Sequence, residues 1–313
     1  MRYINEFHEG EMIRDIYLCK QVQTLTAKTG RNYMSLKLQD KTGMIDGKIW
    51  ELNNGISHFE ALDYILIEGQ VSSFQGVPQL NIRRVRRADQ GEYDIGDYMP
   101  VTEKNVEQMY KELLELVDSV KEMHYHRLLR TFFAEDPDFI AEFKRHSAAK
   151  SVHHGFVGGL LEHTLGVAKL CNHLASAYPI LNRDLLVTAA LFHDIGKVTE
   201  LSFFPENDYT DEGNLLGHIY MGAEMVGKRM DEIGDFPPVL ISQLKHCILA
   251  HHGELEFGSP KKPALVEALA LSMADNLDAK MESMKEMFAT PEAASGEWLG
   301  YQKLFESNVR KTL

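Results

Sequence analysis

The sequence predicts a multi-domain protein in which a small all-β barrel is followed by an all-α helical domain. The chain has 313 residues, which is longer than a single hydrophobic core usually serves. Strand-like segments fill residues 15–87, with clear period-two alternation in the second and third of them, whereas segments with helical periodicity fill residues 158–287. An acidic stretch with two glycines and a proline separates them, so we predict a barrel over 1–88 and a linker over 89–101.

Five strands and one short helix are expected in the first domain. Turn-forming sequences such as Thr29–Asn32, Asp40–Gly43 and Gln75-Gly76 separate the runs of apolar and aromatic residues. The expected strands are residues 16–19, 33–38, 44–50, 64–73 and 78–87, and the expected helix is residues 56–62. Three strands, a helix and two strands match a five-stranded OB barrel, and the segment resembles the OB domains that precede nucleic-acid enzymes.

The resemblance implies that the barrel binds single-stranded RNA, with single-stranded DNA as a second candidate. OB barrels hold a strand with basic side chains and with aromatic rings on which bases stack. The candidate residues are Tyr33, Lys37, Lys48, Trp50, Phe74, Arg83, Arg84 and Arg86, with Arg87 ending the arginine group. The net charge of −13 requires such binding to use local basic surface. In the alternative interpretation, Trp50 belongs to the core and the arginines form a solvated edge.

Residues 102–150 are expected to form connecting helices. Thr102 is the predicted N-cap of a helix over 103–121, and a second short helix should begin at Asp136-Pro137. The first helix has apolar residues at three- and four-residue steps, which are Val106, Met109, Leu113, Leu116, Val117 and Val120. We expect it to pack on the C-terminal domain or to join a subunit contact in a homo-oligomer.

A predicted metal site dominates residues 151–290, and residues 291–313 are expected to form a tail. His193 and Asp194 are adjacent within the sequence Ala-Leu-Phe-His-Asp-Ile-Gly-Lys, residues 190–197. Further candidate ligands fall on segments that are otherwise amphipathic helices, and these are His163, His218, His251, His252 and Asp275. Imidazole and carboxylate without thiolate suit manganese, iron(II) or zinc in a hydrolytic site. Polar residues on apolar stripes are costly unless they are paired or bind a metal.

Some of these residues also have simpler interpretations. His163 alone would more often be a hydrogen-bonded core histidine, and Asp275 alone a charge on a helix face. Adjacent helical residues diverge by about 100°, so the His-Asp pair is expected at a helix end. Gly196 is predicted to end that helix as its C′ residue, which leaves Lys197 free to face a bound anion. The alternative for Lys197 is a lysine favoured by the helix dipole.

The order His163, His193-Asp194, Asp275, with Gly158–Thr164 around the first histidine, resembles the HD-domain phosphohydrolase superfamily. The additional His218 and His251-His252 resemble the subset that holds two metals. The OB barrel followed by this HD domain resembles the YhaM family of bacterial 3′→5′ exoribonucleases, over essentially the full length.

The resemblance implies a ligand set and a reaction. His163, His193, Asp194 and Asp275 would hold a first metal, and Asp194 would bridge to a second. The second would be held by His218 and by His251 or His252; we favour His251 as the ligand, with His252 contacting phosphate or metal. His153 and His154 are candidates to touch substrate, and the alternatives are that they cap a helix or support the metal ligands from behind.

The expected cofactors are two Mn²⁺ ions, with Fe²⁺ or other divalent ions as alternatives. Two metals can share a water, lower its pKa and neutralise a phosphodiester, with Asp194, Lys197 and His252 as the catalytic candidates. The products implied by the resemblance are nucleoside 5′-monophosphates. Two alternatives stay open: a phosphohydrolase of a small or cyclic nucleotide with a regulatory barrel, and a non-catalytic RNA-binding protein with a structural metal.

The sequence also predicts a cytoplasmic protein that does not associate with membranes. It has no run of eighteen apolar residues, and its first residues lack the layout of a signal peptide. Cys19, Cys171 and Cys247 are few and widely spaced, which argues against disulfides or a cysteine-ligated metal. We expect them to be buried thiols.

Overall fold

Two structural units divide the chain, as seen in a computed structural model. The residues described are 1–27, 30–52, 55–74, 77–150, 154–288 and 297–312. The barrel unit comprises Met1–Val101 with Phe204–Glu206, and the helical unit comprises Thr102–Phe203 with Asn207–Leu313. The predicted fold class, a small β-barrel followed by a mostly helical part, is confirmed.

The barrel unit contains strands β1 (Met12–Thr26), β2 (Asn32–Asp40), β3 (Gly43–Ile49), β4 (Tyr64–Phe74) and β5 (Val77–Arg87). They close in the order β1-β2-β3-β5-β4. The β3–β5 pair is parallel and the other pairs are antiparallel. Alternate residues of β4, including Ile65, Ile67 and Val71, point into the barrel core, as the period-two pattern predicts. Thr29 and the predicted turn at Gln75-Gly76 lie outside the described residues.

The short helix predicted over residues 56–62 is wrong. Ile56 instead forms a bridge with Val85, and the Ser57 backbone N–H donates to the Val85 carbonyl at 2.9 Å. Phe59 is buried in the barrel core. The segment is therefore not helical: its Ser57 backbone N–H is bonded to β5, and its Leu62 backbone N–H donates to the Cys19 carbonyl of β1.

Residues 89–101, which the sequence predicts as a linker, pack against the barrel. Ile95–Asp97 form a short 3₁₀ helix. The following Tyr98 and Met99 are buried with Ile16 and Leu18 of β1 in a small second cluster. These apolar contacts hold the segment on the outer surface of the barrel.

The helical unit contains, in chain order, α1 (Val106–Ser119), α2 (Met123–Phe133), α3 (Pro137–Arg145), α4 (Gly159–Ala177), α5 (Arg183–Phe192), α6 (Lys197–Glu200), α7 (Asp211–Ile233), α8 (Pro238–Leu249) and α9 (Val266–Phe288). A hairpin of β6 (Trp298–Gln302) and β7 (Ser307–Arg310) follows, within the segment expected to be a tail. None of the helices in the described part of the chain has the length and apolar character that a membrane span needs.

The apolar face predicted for α1 is confirmed, but its predicted cap is wrong. Met109, Leu113 and Val117 are buried in the core of the helical unit. The cap is Asn105, whose side chain accepts a hydrogen bond from the Gln108 backbone at 2.9 Å. Thr102 lies one turn too early, and its hydroxyl donates to the carboxylate of Glu162 instead.

Helix α5 forms the centre of the helical core and thereby positions the site. Every residue from Leu185 to Phe192 is buried. Phe192 contacts Phe132 and Phe133 of α2 with ring centroids 5.2 and 5.7 Å apart, which is typical of favourable aromatic pairs. Because α5 is surrounded by other helices, the residues that follow its last turn also lie in the interior.

Candidate metal centre and nucleic-acid face

The predicted metal ligands come together where α4, α5, α7, α8 and α9 meet. The cluster, called the His-Asp cluster below, consists of His163, His193, Asp194, His218, His251, His252 and Asp275. His163, His193, Asp194 and His251 are almost completely buried. Residues more than a hundred positions apart in the sequence are therefore side by side.

The turn after α5 explains how the His-Asp pair reaches the cluster. His193 is still helical in conformation, and the backbone N–H of Lys197 donates to the Asp194 carbonyl at 3.0 Å. The predicted role of Gly196 as the C′ residue is wrong, since α5 ends at Phe192 with His193 as its C-cap, and Gly196 has a φ of −66° and a ψ of −16°. Glycine is needed there for close approach, because a Cβ would lie 2.1 Å from the His218 carbonyl oxygen. This contact brings α7 and its histidine to the turn.

Three imidazole rings are held by backbone carbonyl groups. In each ring Nδ1 lies 2.7 Å from a carbonyl oxygen, and the pairs are His193 with Ala190, His251 with Ile248, and His252 with Phe257. A carbonyl oxygen can only accept, so Nδ1 carries the proton in these rings. With Nδ1 as the donor, Nε2 is the ring atom that can offer a lone pair, as a metal ligand requires.

The other two rings are held by carboxylates that the sequence analysis missed. His163 Nδ1 lies 2.8 Å from Asp278 Oδ2, and His218 Nδ1 lies 2.9 Å from Glu200 Oε1. Asp278 follows Asp275 by three residues on α9, so helical spacing could have placed both on one face. Glu200 has no such signal, because α6 and α7 bring it to His218 only through the tertiary fold.

One group of ligand atoms surrounds Oδ2 of Asp194. His163 Nε2 lies 3.4 Å and His193 Nε2 lies 3.5 Å from that oxygen. Asp275 Oδ1 lies 3.1 Å from His163 Nε2. Ligands bound about 2.0–2.2 Å from one ion are roughly 3.0–3.5 Å apart, so these spacings fit a single divalent cation.

A second group surrounds the other oxygen of the same carboxylate. Asp194 Oδ1 lies 3.4 Å from His218 Nε2 and 3.6 Å from His251 Nε2. Ligand atoms of His218, His251 and His252 lie within 4.8 Å of one another. Asp194 therefore faces a different set of imidazoles with each of its oxygens, which is the geometry of a bridging carboxylate.

Several polar atoms of the cluster are buried without a hydrogen-bond partner among the described residues. They are Asp194 Oδ1, His218 Nε2 and His251 Nε2. Each buried polar atom left unsatisfied costs about 1–3 kcal/mol, and such atoms are rare unless something else binds them. The residues present thus fit a divalent cation, which would accept all three lone pairs.

The histidine rings of the cluster differ in the direction in which their pKa values are shifted. Burial lowers the pKa of His193 to about 4, and burial together with the neighbouring His251 and His218 lowers the pKa of His252 to about 4. Burial also opposes charge on His163, but hydrogen bonds with three aspartates raise its pKa above the usual value. A cation entering the first group would therefore replace a proton on His163.

Lys197 lies against the cluster and does not point away from it. Its Nζ is 2.6 Å from Asp194 Oδ2. Burial opposes the charged form, but the Asp194 carboxylate raises the pKa of Lys197 above its usual value. The lysine stays charged and partly neutralises the Asp194 carboxylate.

His154 belongs to the hydrogen-bond network behind the cluster. Its Nε2 lies 3.0 Å from Asp278 Oδ2, the oxygen that also holds His163. The side chain is 3% exposed, so contact with a substrate is not supported by its position. His153 lies outside the described residues.

A cavity of about 860 Å³ opens above the His-Asp cluster. His163, Asp194, Lys197, His252 and Asp275 form its base. Its volume lies within the range of about 300–1,000 Å³ that is usual for small-molecule sites. A ligand in this cavity would contact the open side of the cluster.

On the barrel, Tyr33 and Trp50 form an exposed aromatic pair. Their rings are stacked with centroids 4.7 Å apart, and Trp50 is 49% exposed. The alternative in which Trp50 belongs to the core is therefore wrong. The indole N–H donates to Asn81 Oδ1 at 3.1 Å, and Arg83 lines the same shallow cavity.

The predicted arginine group is divided by a β-bulge. Glu68 of β4 pairs with Arg84 while Gly69 pairs with Ile82, so Arg83 is the extra residue. Arg83 thereby shares a cavity with Trp50, whereas Arg84 and Arg86 line a different one. The sequence pattern predicts these arginines on one surface, as an unbroken strand would place them.

Most of the other basic candidates on the barrel already have partners. The ion pairs are Arg84 with Glu68 at 3.6 Å, Arg86 with Glu92 at 2.7 Å, Arg87 with Asp63 at 2.9 Å and Lys37 with Asp46 at 3.7 Å. Lys48 donates to Ser35 at 2.5 Å. Phe74 is 63% exposed at the end of β4. Arg83 has no ion pair with any residue that the structure describes.

Parts of the chain are similar to known proteins. Residues 160–280 match the family model of the HD domain. Two solved structures with some similarity to this chain are a replication protein A heterotrimer bound to ssDNA and the second OB-fold domain of replication protein A from Methanococcus maripaludis. The first is 15% identical with a TM-score of 0.23, covering 28% of this chain and 65% of that chain. The second is 18% identical with a TM-score of 0.23, covering 29% of this chain and 96% of that chain.

The range matched by the HD model includes the whole His-Asp cluster, from His163 to Asp275. The cluster has the residue types, spacings and unsatisfied lone pairs of a divalent-metal site. The match of residues 160–280 to the HD-domain model indicates a metal-dependent phosphohydrolase.

Proposed function

We propose that the protein is a metal-dependent 3′→5′ exoribonuclease that shortens single-stranded RNA and releases nucleoside 5′-monophosphates. The observation that supports it most is the convergence of imidazole Nε2 atoms on both oxygens of Asp194. A phosphodiester is a substrate suited to two adjacent cations. The choice of RNA and the direction of cleavage come from the resemblance of the OB barrel followed by this HD domain to the YhaM family.

Two divalent cations, with Mn²⁺ as the expected metal, are assigned to the His-Asp cluster. His163, His193, Asp194 and Asp275 would hold one, and Asp194, His218 and His251 would hold the other. When bound, the cations would supply an activated water and neutralise the phosphodiester. Hydrogen bonds at Nδ1 fix the orientation of each imidazole ring before substrate arrives.

His252 is assigned to the second cation in preference to the substrate phosphate. Its Nδ1 donates to the Phe257 carbonyl, and its pKa of about 4 keeps the ring neutral near pH 7. The Nε2 atom can then only accept, so it cannot donate a hydrogen bond to a phosphate oxygen. A neutral Nε2 facing the cavity is suited to metal ligation.

Lys197 is assigned a supporting role at Asp194. Its ammonium group lies at the bridging carboxylate and also lines the cavity. It can stabilise negative charge that develops on the phosphate, since a fixed cation in a buried site acts strongly on nearby charge.

The barrel is proposed to hold the RNA strand at the aromatic pair. Tyr33 and Trp50 offer a stacking surface, and Arg83 offers a cation that forms no ion pair within the described part of the chain. Stacking on aromatic rings suits single strands of any sequence, and one adjacent cation can contact the phosphate backbone.

Digestion of 5′-labelled RNA tests this function. With Mn²⁺ the protein should give a ladder of shortened products, and His193→Ala and Asp194→Ala should abolish it while the far-UV circular dichroism is retained. His173→Ala, at an exposed position of α4, is the matched control and should digest normally. An unchanged ladder in both cluster variants would contradict the proposal.

A second candidate is the hydrolysis of a small or cyclic nucleotide, which the size of the cavity also suits. The values of kcat/KM for a cyclic dinucleotide and for an RNA oligomer distinguish the two. Faster turnover of the cyclic dinucleotide, together with no effect of Trp50→Ala on either substrate, would favour the second candidate.

A further inference from the structure

We propose that Lys280 and Lys303 form a phosphate-binding rim above the His-Asp cluster and contact backbone phosphates next to the one being hydrolysed. The inference rests on the proposed function and adds two residues that would determine which substrates are preferred. Lys280 lies on α9, and Lys303 begins the turn of the C-terminal hairpin.

The C-terminal hairpin forms one wall of the cavity. Lys303, Leu304 and Glu306, all at or beside the hairpin turn, line the same 860 Å³ space as Asp194 and Asp275. All residues that line this space belong to the helical unit. The hairpin is therefore part of the substrate cavity, although the sequence analysis treated residues 291–313 as a tail.

The two rim lysines differ from nearby lysines in having no partner. Lys262 lies 2.5 Å from Glu254, and Lys285 lies 2.7 Å from Glu282. Lys280 and Lys303 are exposed, and their ammonium groups form no ion pair or hydrogen bond with the residues that the structure describes. Two unpaired cations at the rim of one cavity suit a ligand with several negative charges.

The rim also has surfaces suited to the remaining parts of a nucleotide strand. Phe257 and Leu304 line the cavity and are 63% and 57% exposed, so they offer apolar surface to a base or ribose. Asn276 adds a polar side chain on α9. Cations beside apolar surface match the alternation of phosphate and base along a single strand.

A small substrate with one phosphate has a single anionic group, which is used when that phosphate lies at the cluster. A strand with several phosphates can contact the cluster and the rim together. The rim is thus expected to favour oligonucleotides over small diesters. Its contribution should appear in the ratio of kcat/KM for an oligonucleotide to kcat/KM for a small diester.

The test compares Lys280→Ala, Lys303→Ala and the double variant with Lys228→Ala. Lys228 is 70% exposed on α7, pairs with Glu224 at 3.0 Å and does not line the cavity, so it controls for loss of one surface charge. The kcat/KM for a single-stranded RNA oligomer is measured over a range of salt concentrations, and for bis(p-nitrophenyl) phosphate at one.

Each rim variant should lower the ratio of the RNA value to the diester value about fivefold, as expected for loss of one charged contact at a partly exposed site. The slope of log kcat/KM against log salt should become less steep by about 0.7 for each lysine removed. Glu306→Gln, which removes the carboxylate of the rim, should raise the same ratio.

Three outcomes would contradict parts of this scheme in different ways. An active parent protein whose double variant keeps both the ratio and the salt slope would overturn the rim alone. An equal loss of RNA and diester hydrolysis would also overturn it, because the lysines would then support hydrolysis itself. A parent protein that never shortens RNA would overturn the proposed function and the rim together.

Discussion

At the scale of single residues, the His-Asp cluster is organised by what holds each imidazole from behind. Backbone carbonyls hold His193, His251 and His252, whereas carboxylates hold His163 and His218. A carboxylate partner makes a ring more basic than a carbonyl partner does and fixes its orientation. The residues behind the ligands therefore decide how strongly each ring can bind a cation.

Asp278→Asn should weaken Mn²⁺ binding about 10- to 100-fold, because the carboxylate that orients His163 is lost. Isothermal titration calorimetry measures the affinity. Glu224→Gln, an exposed change on α7, is the control and should bind Mn²⁺ as the parent does. Equal affinity in Asp278→Asn and the parent would show that His163 needs no such support.

The cysteines should react slowly with iodoacetamide until the protein unfolds. Burial, assisted by the charge of Asp63, raises the pKa of Cys19 to about 12, and burial raises the pKa of Cys247 to about 12. Cys171 is also buried. A raised pKa leaves little thiolate at pH 8, and the thiolate is the reactive form. Mass spectrometry should find little labelling at pH 8 and full labelling in urea; rapid labelling without urea would contradict the burial.

At the scale of secondary-structure elements, the site depends on close contact between the turn after α5 and the break in α7. Helix α7 is interrupted at Gly217, where φ is 73° and ψ is 151°, and His218 begins the second half. The His218 backbone N–H, freed by this break, donates to Glu200 Oε1 at 2.9 Å. The same carboxylate therefore satisfies the new helix start and orients the histidine ring.

Gly196→Ala should lower the free energy of unfolding by about 1–3 kcal/mol, because the added Cβ would overlap the His218 carbonyl and displace α7. Mn²⁺ affinity should fall as well, since His218 moves with the helix. Urea unfolding and calorimetry measure both effects. Gly96→Ala is the control, because its Cβ would lie 3.4 Å from the nearest atom; similar effects in both variants would contradict the close-approach argument.

The β-bulge in the barrel places Arg83, but not Arg86, beside Trp50, and this predicts different effects of their substitution on RNA binding. Trp50→Ala should weaken single-stranded RNA binding by about 1–3 kcal/mol through loss of one stacked base. Arg83→Ala should weaken it more than Arg86→Ala, since Arg86 is already paired with Glu92. Fluorescence anisotropy with a labelled RNA oligomer measures the three affinities. A greater loss for Arg86→Ala would place the strand on the other side of the bulge.

At the scale of the whole molecule, the two units have separate hydrophobic cores. The His-Asp cluster draws its ligands entirely from the helical unit, and the aromatic pair belongs entirely to the barrel unit. A ligand that binds only one folded unit stabilises that unit by mass action. Metal binding is therefore expected to stabilise the helical unit, and strand binding to stabilise the barrel unit.

Differential scanning calorimetry should show two transitions, and saturating Mn²⁺ should raise only one of them. At one hundred times the dissociation constant the stabilisation is about 2.7 kcal/mol. Asp194→Asn should abolish the shift, because this carboxylate contacts both groups of ligands. A shift of both transitions, or a shift that persists in the variant, would contradict the assignment of the metal to the cluster.

The sequence predicted a large part of the fold and of the cluster. Period-two alternation predicted the strands of the barrel, and helical periodicity predicted α1 and the helices that carry His163 and Asp275. It failed at residues 56–62, where extended chain has apolar spacing similar to that of a helix. It also assumed a regular strand at Arg83, because a bulge depends on the register with a neighbouring strand.

By itself the sequence determined which residue types could serve as metal ligands, because imidazole and carboxylate side chains on otherwise apolar helices need a partner. Only the tertiary structure decided how they meet: which oxygen of Asp194 faces which histidine, that Asp278 and Glu200 hold two of the rings, and that the hairpin turn lines the cavity. Those features depend on contacts between elements distant in the chain. Periodicity and composition record only the local environment of each element.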